Sequence, residues 1–279
     1  MRNGYHIIDA HCHLYPEKIA HKAAEHIGEF YDGLPFCGGD AAALLRLMDE
    51  QGIDLALVNS AALTPHQVDS INNFLFSEAA DHPDRFLPLG TLHPDSPPED
   101  QERQVQFLKD HAMHGIKIHP DMLGIPLDDP RMQHIYARCQ EADIPVLLHT
   151  GDRRFDFTNP NRLEPMLRAF PRLTFIGGHF AGRDFYCEAA ARLHSYKNLF
   201  VDCSSSFHWL TEEEALGCIR SYTASHVMFG TDHPMFTPGF DLDYFFRLPL
   251  TEEERRAILS GTAQCVFGFT APWNSAPAG

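Results

Sequence analysis

The chain has 279 residues, of which 44% are hydrophobic, and a formal net charge of −16. This length and composition suffice for one well-packed domain and require no second one. The negative charge argues against a surface that coats nucleic acid or an anionic membrane, because either needs clustered Lys and Arg. No apolar run approaches the roughly 18 residues of a membrane span and the chain opens with no secretory signal, so we expect a cytoplasmic protein.

Short β-rich runs alternate with amphipathic helical stretches along the sequence. Eight runs predict strands, at 6–13, 54–61, 85–94, 115–120, 144–151, 173–180, 199–205 and 226–234. Helices are predicted at 40–51, 66–81, 98–112, 130–142, 162–170, 184–195, 211–221 and 251–260. The connection at 14–39 is predicted to be a long loop.

The order of these elements predicts the fold. Strands that alternate with helices pair in parallel, and eight such units in a chain of this length indicate a single (β/α)8 TIM barrel over residues 1–270. An open doubly wound sheet is the alternative, but no GxGxxG motif follows the first strand. Residues 271–279, rich in Pro and Ala, are predicted to form a loosely packed tail. In a TIM barrel the active site lies at the C-terminal ends of the strands, so side chains at those ends indicate function.

Ligand-type side chains end four of the predicted strands; they are His11, His13, His149, His179 and Asp232. Because side chains alternate along a strand, His11 and His13 point the same way, roughly 6.6 Å apart. Two imidazoles at that spacing can bind one ion at about 2.0–2.1 Å each. One histidine at a strand end would mean little in a chain with 18 histidines. The shared position of all five residues predicts a metal site.

Several motifs resemble the amidohydrolase superfamily, in particular its amidohydrolase-related branch, which includes the aminocarboxymuconate-semialdehyde decarboxylase-like proteins. The resemblance is carried by the strand-5 and strand-6 histidines and by HCH at 11–13, HPDRF at 82–86, GIKIHP at 115–120 and GTDHP at 230–234. It implies a TIM barrel in which one divalent metal is bound by His11, His13, His149 and Asp232. It also implies that His179 lies close by as a catalytic or substrate-polarising group.

The ligand types indicate the metal. Three imidazoles and a carboxylate suit Zn²⁺, the ion that we expect, although Mn²⁺, Co²⁺ or Fe²⁺ fit the same ligands. Lys117 and His119 have the same parity in the fourth strand, so both are predicted to face the barrel mouth. We expect Lys117 to be an ammonium that pairs with Asp9 or with a substrate carboxylate. The alternatives are an inert lysine and a carboxylated one, which bridges two metals in binuclear members of the superfamily.

Basic and aromatic residues on the same face predict how a substrate is held. Arg153 and Arg183 follow the fifth and sixth strands, and arginine binds carboxylates through paired hydrogen bonds. Surface salt bridges are the alternative role for either arginine. Trp209 lies in a loop of this face and is predicted to line the site beside Lys117 and His119. We therefore expect a small carboxylic acid as substrate, and whether the chain self-associates is left open.

These residues are compatible with two reactions at one metal site. The leading prediction is a hydrolase of a small carboxylate-bearing amide, ester or lactone, in which the metal activates water, Asp232 moves the proton and His179 stabilises the oxyanion. The alternative is a non-oxidative decarboxylase of an unsaturated or aromatic acid. A non-catalytic metal- or ligand-binding barrel is a third interpretation. The net charge of −16 argues against a metal-dependent nuclease.

Overall fold

The computed structural model describes residues 1–33 and 35–274, and this part of the chain contains eight short strands, one in each predicted run. They pair in parallel, in the orders β1-β2-β3 and β4-β5-β6-β7-β8. Each strand is shorter than predicted, because the predicted runs extend into the loops that carry the site. The strands are β1 (Ile8–His13), β2 (Leu55–Asn59), β3 (Phe86–Pro88), β4 (Ile116–Ile118), β5 (Val146–Leu148), β6 (Phe175–Gly177), β7 (Leu199–Asp202) and β8 (Val227–Met228).

Backbone hydrogen bonds also cross the two seams between these groups of strands. The Gly90 N–H donates to the Gly115 carbonyl at 2.8 Å beside β3 and β4, and the Ala10 N–H donates to the Phe229 carbonyl at 2.9 Å beside β8 and β1. The predicted parallel α/β barrel is therefore the architecture of the protein.

Helices surround the strands, and most lie where the hydrophobic periodicity predicts them. Their bounds are α1 (Glu17–Phe30), α2 (Ala41–Gln51), α3 (Val68–Asp81), α4 (Pro98–Asp110), α5 (Pro120–Leu123), α6 (Pro130–Ala142), α7 (Pro160–Ala169), α8 (Tyr186–Leu193), α9 (Glu212–Tyr222), α10 (Pro238–Arg247), α11 (Glu252–Arg256) and α12 (Thr262–Phe267). None of the helices among the described residues has the length and apolarity to span a membrane.

The prediction of a long loop at 14–39 is wrong, since the fourteen-residue helix α1 occupies most of it. The buried face of α1 consists of the small residues Ala20, Ala24 and Gly28. A period of four in small residues is harder to see than one in large apolar residues. The helix α10 also lies outside the predicted elements. It begins with Pro238 and Gly239, a pair that is typical of a turn.

The core consists of two layers. Inside the barrel lies a small cluster of strand residues and residues of α12; it includes Ile8, Leu57, Leu147, Ile176, Met228 and Phe267. A larger cluster lies between the strands and the surrounding helices and contains Cys12. The start of the predicted tail is packed, since Ala271 is buried and the Trp273 ring stacks on His6 at 4.2 Å. Residues 275–279, the rest of that tail, lie outside the described residues.

Candidate active site

The five ligand-type residues lie together at the C-terminal ends of the strands. His11 and His13 belong to β1, and His149, His179 and Asp232 follow β5, β6 and β8. The ligand atoms of His11, His179 and Asp232 are within 4.8 Å of one another. His13 joins this group, because its Nε2 lies 3.2 Å from Asp232 Oδ1. These three imidazoles and one carboxylate, called the cation cluster below, form the electrostatic centre of the site.

Asp202, at the end of β7, fixes the orientation of His11. The His11 Nδ1–H donates to Asp202 Oδ2 at 3.0 Å, and Asp202 Oδ1 accepts from the backbone N–H groups of Ser204 and His179 at 3.0 and 3.1 Å. Burial opposes the ionisation of Asp202, but the hydrogen bonds that its carboxylate accepts from His11 and Ser204 outweigh it and lower its pKa. Asp202 is therefore an anion that leaves the lone pair of His11 on Nε2.

Lys117 lies on the other side of His11, fully buried. Its Nζ is 2.8 Å from His11 Nε2. Burial lowers the pKa of Lys117 to about 8 and, together with the charge of Lys117, lowers the pKa of His11 to about 4. His11 is therefore neutral near pH 7, the form in which imidazole binds a metal. Asp232 has a lowered pKa despite burial, because its carboxylate accepts a hydrogen bond from His13.

Three imidazole rings and a phenol form one chain of hydrogen bonds beside the cluster. His119 Nδ1 accepts from the Met122 N–H at 3.3 Å, which leaves its Nε2–H to donate to the Tyr31 hydroxyl at 2.9 Å. The Tyr31 O–H donates to His149 Nε2 at 2.9 Å, and the His149 Nδ1–H donates to His179 Nε2 at 3.0 Å. The His179 Nδ1–H donates to the Ser204 carbonyl at 2.9 Å.

This chain of hydrogen bonds is called the relay below. Its donors and acceptors are assigned with each imidazole neutral, so that each ring carries one N–H. Burial is the largest cause that lowers the pKa of His119, His149 and His179, which favours their neutral forms. Asp121 borders the relay, with Oδ2 3.7 Å from His149 Nε2. Burial raises its pKa to about 7, although Thr158 donates to it. The relay thus joins the cation cluster to the Tyr31 hydroxyl without a fixed charge of its own.

Two residues of the site have left-handed backbone conformations. His179 has φ 58° and Asp232 has φ 63°, and the residues after His179 continue in this region. Such conformations are uncommon for residues other than glycine and occur often at functional sites. They turn the chain sharply at the ends of β6 and β8, and both side chains thereby meet His11.

A cavity of about 280 Å³ opens beside the cluster. Its walls include His13, Tyr31, His119, His149, Arg183, Trp209, Asp232, Met235 and Phe236. The Arg183 guanidinium carbon lies 4.4 Å from the centre of the Tyr31 ring, and Trp209 is 62% exposed at the edge. The predicted substrate-binding residues His119, Arg183 and Trp209 therefore border one space.

Two of the predicted substrate-binding residues, Arg153 and Lys117, lie elsewhere in the structure. Arg153 does not line the cavity; its guanidinium donates to the Asp184 carbonyl at 3.1 Å and lies over the Phe185 ring. Lys117 lies beneath the cluster and contacts His11, and no ion pair of the described residues joins it to Asp9. Asp9 instead accepts from the Thr231 hydroxyl at 2.6 Å.

The four-ligand set implied by the resemblance is only partly assembled. His11, His13 and Asp232 meet, but the third imidazole of the cluster is His179, and His149 lies behind it. The roles of these two histidines stay predictions. Sequence reasoning did not single out Tyr31, Asp121 or Asp202. Asp202 is the last residue of β7, and the rule that selects polar residues at strand ends applies to it too.

Comparison with known proteins identifies the family. A family model described as amidohydrolase matches residues 8–269. The chain belongs to this amidohydrolase family.

Solved structures with this fold include both uncharacterised proteins and enzymes. An uncharacterised TIM-barrel protein from Bordetella bronchiseptica is 20% identical, with a TM-score of 0.79 over 94% of this chain and 98% of that one. The 5-carboxyvanillate decarboxylase from Sphingomonas paucimobilis is 15% identical, with a TM-score of 0.74 over 96% and 100%. The dihydroxybenzoic acid decarboxylase from Polaromonas sp. JS666, solved with manganese and the inhibitor 2-nitroresorcinol, is 17% identical, with a TM-score of 0.72 over 98% of each chain. At these identities the likeness shows the fold.

Proposed function

We propose that the protein is a metal-dependent, non-oxidative decarboxylase of a small aromatic carboxylic acid. The observation that carries the proposal is the cation cluster, which borders a cavity with an arginine and two aromatic side chains in its walls, Arg183, Trp209 and Phe236. Two enzymes with similar structures are named as decarboxylases of aromatic acids, which supports the same reaction class here.

One divalent cation fits the residues of the cluster. Neutral His11 has its Nε2 lone pair free of Asp202, and Asp232 supplies an anionic oxygen within 4.8 Å of the ligand atoms of His11 and His179. Imidazole and carboxylate ligands suit Zn²⁺ and Mn²⁺, and one similar structure contains manganese. Zn²⁺ remains our prediction from ligand type, and Mn²⁺ is the alternative. When bound, the cation would bind substrate oxygens and stabilise negative charge on the ring.

The chain's own residues would bind the acid and move the proton. Arg183 would pair with an anionic oxygen of the substrate, while Trp209 and Phe236 contact the ring. The bond from the ring carbon to the carboxylate breaks, its electron pair stays on the ring carbon, and CO₂ leaves. The Tyr31 hydroxyl, which lines the cavity, would turn from His149 to donate the proton that replaces CO₂ and would recover a proton from water that enters the open cavity.

Hydrolysis of a carboxylate-bearing amide, ester or lactone, the leading prediction from sequence, is the second candidate. The family model is described as amidohydrolase, and a histidine–carboxylate cluster suits the activation of water. The same ligands serve both reactions, so the products must distinguish them.

The test uses protein loaded in turn with Zn²⁺ and Mn²⁺. Each form is incubated with 2,6-dihydroxybenzoate, other hydroxybenzoates and a panel of carboxylate-bearing amides, esters and lactones. Equal amounts of CO₂ and the decarboxylated arene, with one deuterium on the ring in D₂O, are the expected result. Release of two organic fragments without CO₂ would instead establish hydrolysis. The His11→Ala variant serves as the control for contaminating activity.

A further inference from the structure

A second cavity, of about 420 Å³, lies between α1 and the beginning of α3. We call it the α1–α3 groove. On one side it is lined by Ile19, Ala23 and Ile27, which are spaced by four residues and so share one face of α1. On the other side Ile71 and Phe74 of α3 line it. Ile19 is 51% exposed, so the apolar face of α1 is left partly uncovered.

Three polar residues in the groove, Ser60, Ser70 and Gln67, have already used hydrogen-bonding groups within the protein. The Ser60 hydroxyl donates to the Leu14 carbonyl, and the Ser70 hydroxyl donates to the Gln67 carbonyl at 2.9 Å. The Gln67 Oε1 accepts from the N–H groups of Leu63 and Thr64 at 2.7 and 3.0 Å. These walls therefore favour an apolar ligand over a polar one. Lys22 and His26 are exposed side chains of the same lining.

The groove adjoins the active-site cavity. His13, Ile27 and His119 line both spaces, and His13 belongs to the cation cluster while His119 belongs to the relay. A ligand that has its reacting carboxylate at the cluster would enter the groove past Ile27. The active-site cavity, at about 280 Å³, is the smaller of the two.

We propose that the α1–α3 groove binds an apolar substituent of the substrate, so that the substrate is an aromatic acid with an alkyl chain rather than an unsubstituted ring acid. This inference rests on the proposed function for the identity of the reacting group. Burial of the alkyl chain in the groove removes apolar surface of the substrate and of the protein from water, which stabilises the complex. Each buried methylene corresponds to about a fourfold lower Kd.

The test measures binding apart from turnover. Calorimetry with the metal-loaded protein gives Kd for 2-nitroresorcinols with 4- or 5-alkyl chains from methyl to butyl. Kd should fall roughly 60-fold from methyl to butyl in one of the two series. A Kd independent of chain length in both series, or no binding of any member, overturns the inference. CO₂ release from unsubstituted 2,6-dihydroxybenzoate tests the proposed function separately.

Variants test whether the alkyl chain of the ligand lies in the α1–α3 groove. Ala23→Phe fills the groove from α1, and Ala61→Leu fills it from the loop after β2, so either should remove most of the dependence of Kd on chain length. Glu25→Phe, on the exposed side of the same helix, should retain it. Full retention of the dependence in both groove variants overturns the inference. So does an Ala23→Phe protein that changes only its sedimentation coefficient, because the groove would then be a contact between copies of the chain.

Discussion

Asp202→Asn tests whether the orientation of His11 determines cation binding. The asparagine can keep the three hydrogen bonds that Asp202 Oδ1 accepts, from the Ser204 hydroxyl and the N–H groups of Ser204 and His179. Its amide nitrogen then replaces Oδ2 and faces His11 Nδ1, where two donors cannot pair. His11 Nδ1–H therefore loses its charged acceptor, and a change of tautomer would place a proton on the Nε2 that Lys117 contacts and that would bind the cation.

The magnitude follows from the one bond that is lost. A hydrogen bond to a charged group contributes about 1.5–3 kcal/mol, or roughly 10- to 150-fold in Kd. Loss of a partner that orients a metal-binding histidine costs roughly 10- to 100-fold in affinity. We therefore expect the Kd for Mn²⁺ or Zn²⁺ to rise by roughly 10- to 100-fold. If the asparagine amide is rotated by 180°, its oxygen can accept from His11, but its nitrogen then faces the three donors at the Oδ1 position.

The assay is a competition titration of metal-free protein against a chelator of known affinity. Asp243→Asn is the matched control, because Asp243 is an exposed aspartate that pairs with Arg2 and lies away from the cation cluster. Circular dichroism during heating of the metal-free proteins reports whether the fold is retained. A folded Asp202→Asn protein that binds the cation within a factor of two of the parent would refute the reasoning.

Three further predictions use other parts of the molecule. Changing His11 and His13 together to alanine should abolish tight metal binding, and elemental analysis that still finds one ion per chain would contradict the assigned cluster. Tyr31→Phe should keep the metal but lower CO₂ release by roughly 10²–10⁴-fold; unchanged kcat would exclude Tyr31 as proton donor. Burial raises the pKa of Asp241, whose carboxylate oxygens have no hydrogen-bond partner among the described residues. The folded protein therefore favours the protonated form, and the free energy of unfolding falls as pH rises above about 4, where Asp241 ionises in the unfolded chain. Urea unfolding should therefore show Asp241→Asn gaining stability relative to the parent between pH 5 and pH 8, and a gain that shrinks over this range would be evidence against the raised pKa.

The positions of the strands could be predicted from sequence because a barrel strand is a short apolar run between polar segments. Runs such as IPVLLHTG contain β5 and also the polar residues after it, so the predicted limits are too wide. The same rule located His149, His179 and Asp232, because a ligand at the end of an apolar run is visible in one dimension. Asp202, the last residue of β7, satisfies this rule too.

Tyr31 could not be predicted, since it follows a helix whose buried face is made of small residues. Its contacts with His119 and His149 join positions 88 and 118 residues away in the chain. No local pattern encodes a contact of that kind. The presence of His179 rather than His149 beside His11 has the same origin, because two strand-end histidines are equivalent in sequence and differ only in which neighbour each ring meets.

The position of Tyr31 also constrains how a cation can be bound. Both nitrogens of His149 are occupied, Nε2 by the Tyr31 hydroxyl and Nδ1 by His179. His149 can therefore bind the cation, as the resemblance implies, only after one of these hydrogen bonds breaks, just as Lys117 must release His11 Nε2 and His149 must release His179 Nε2. Tyr31 directly follows α1, which forms one wall of the α1–α3 groove. A shift of α1 that releases Tyr31 would alter both the imidazoles available to the cation and the space available to the substrate, so we expect the two ligands to bind cooperatively.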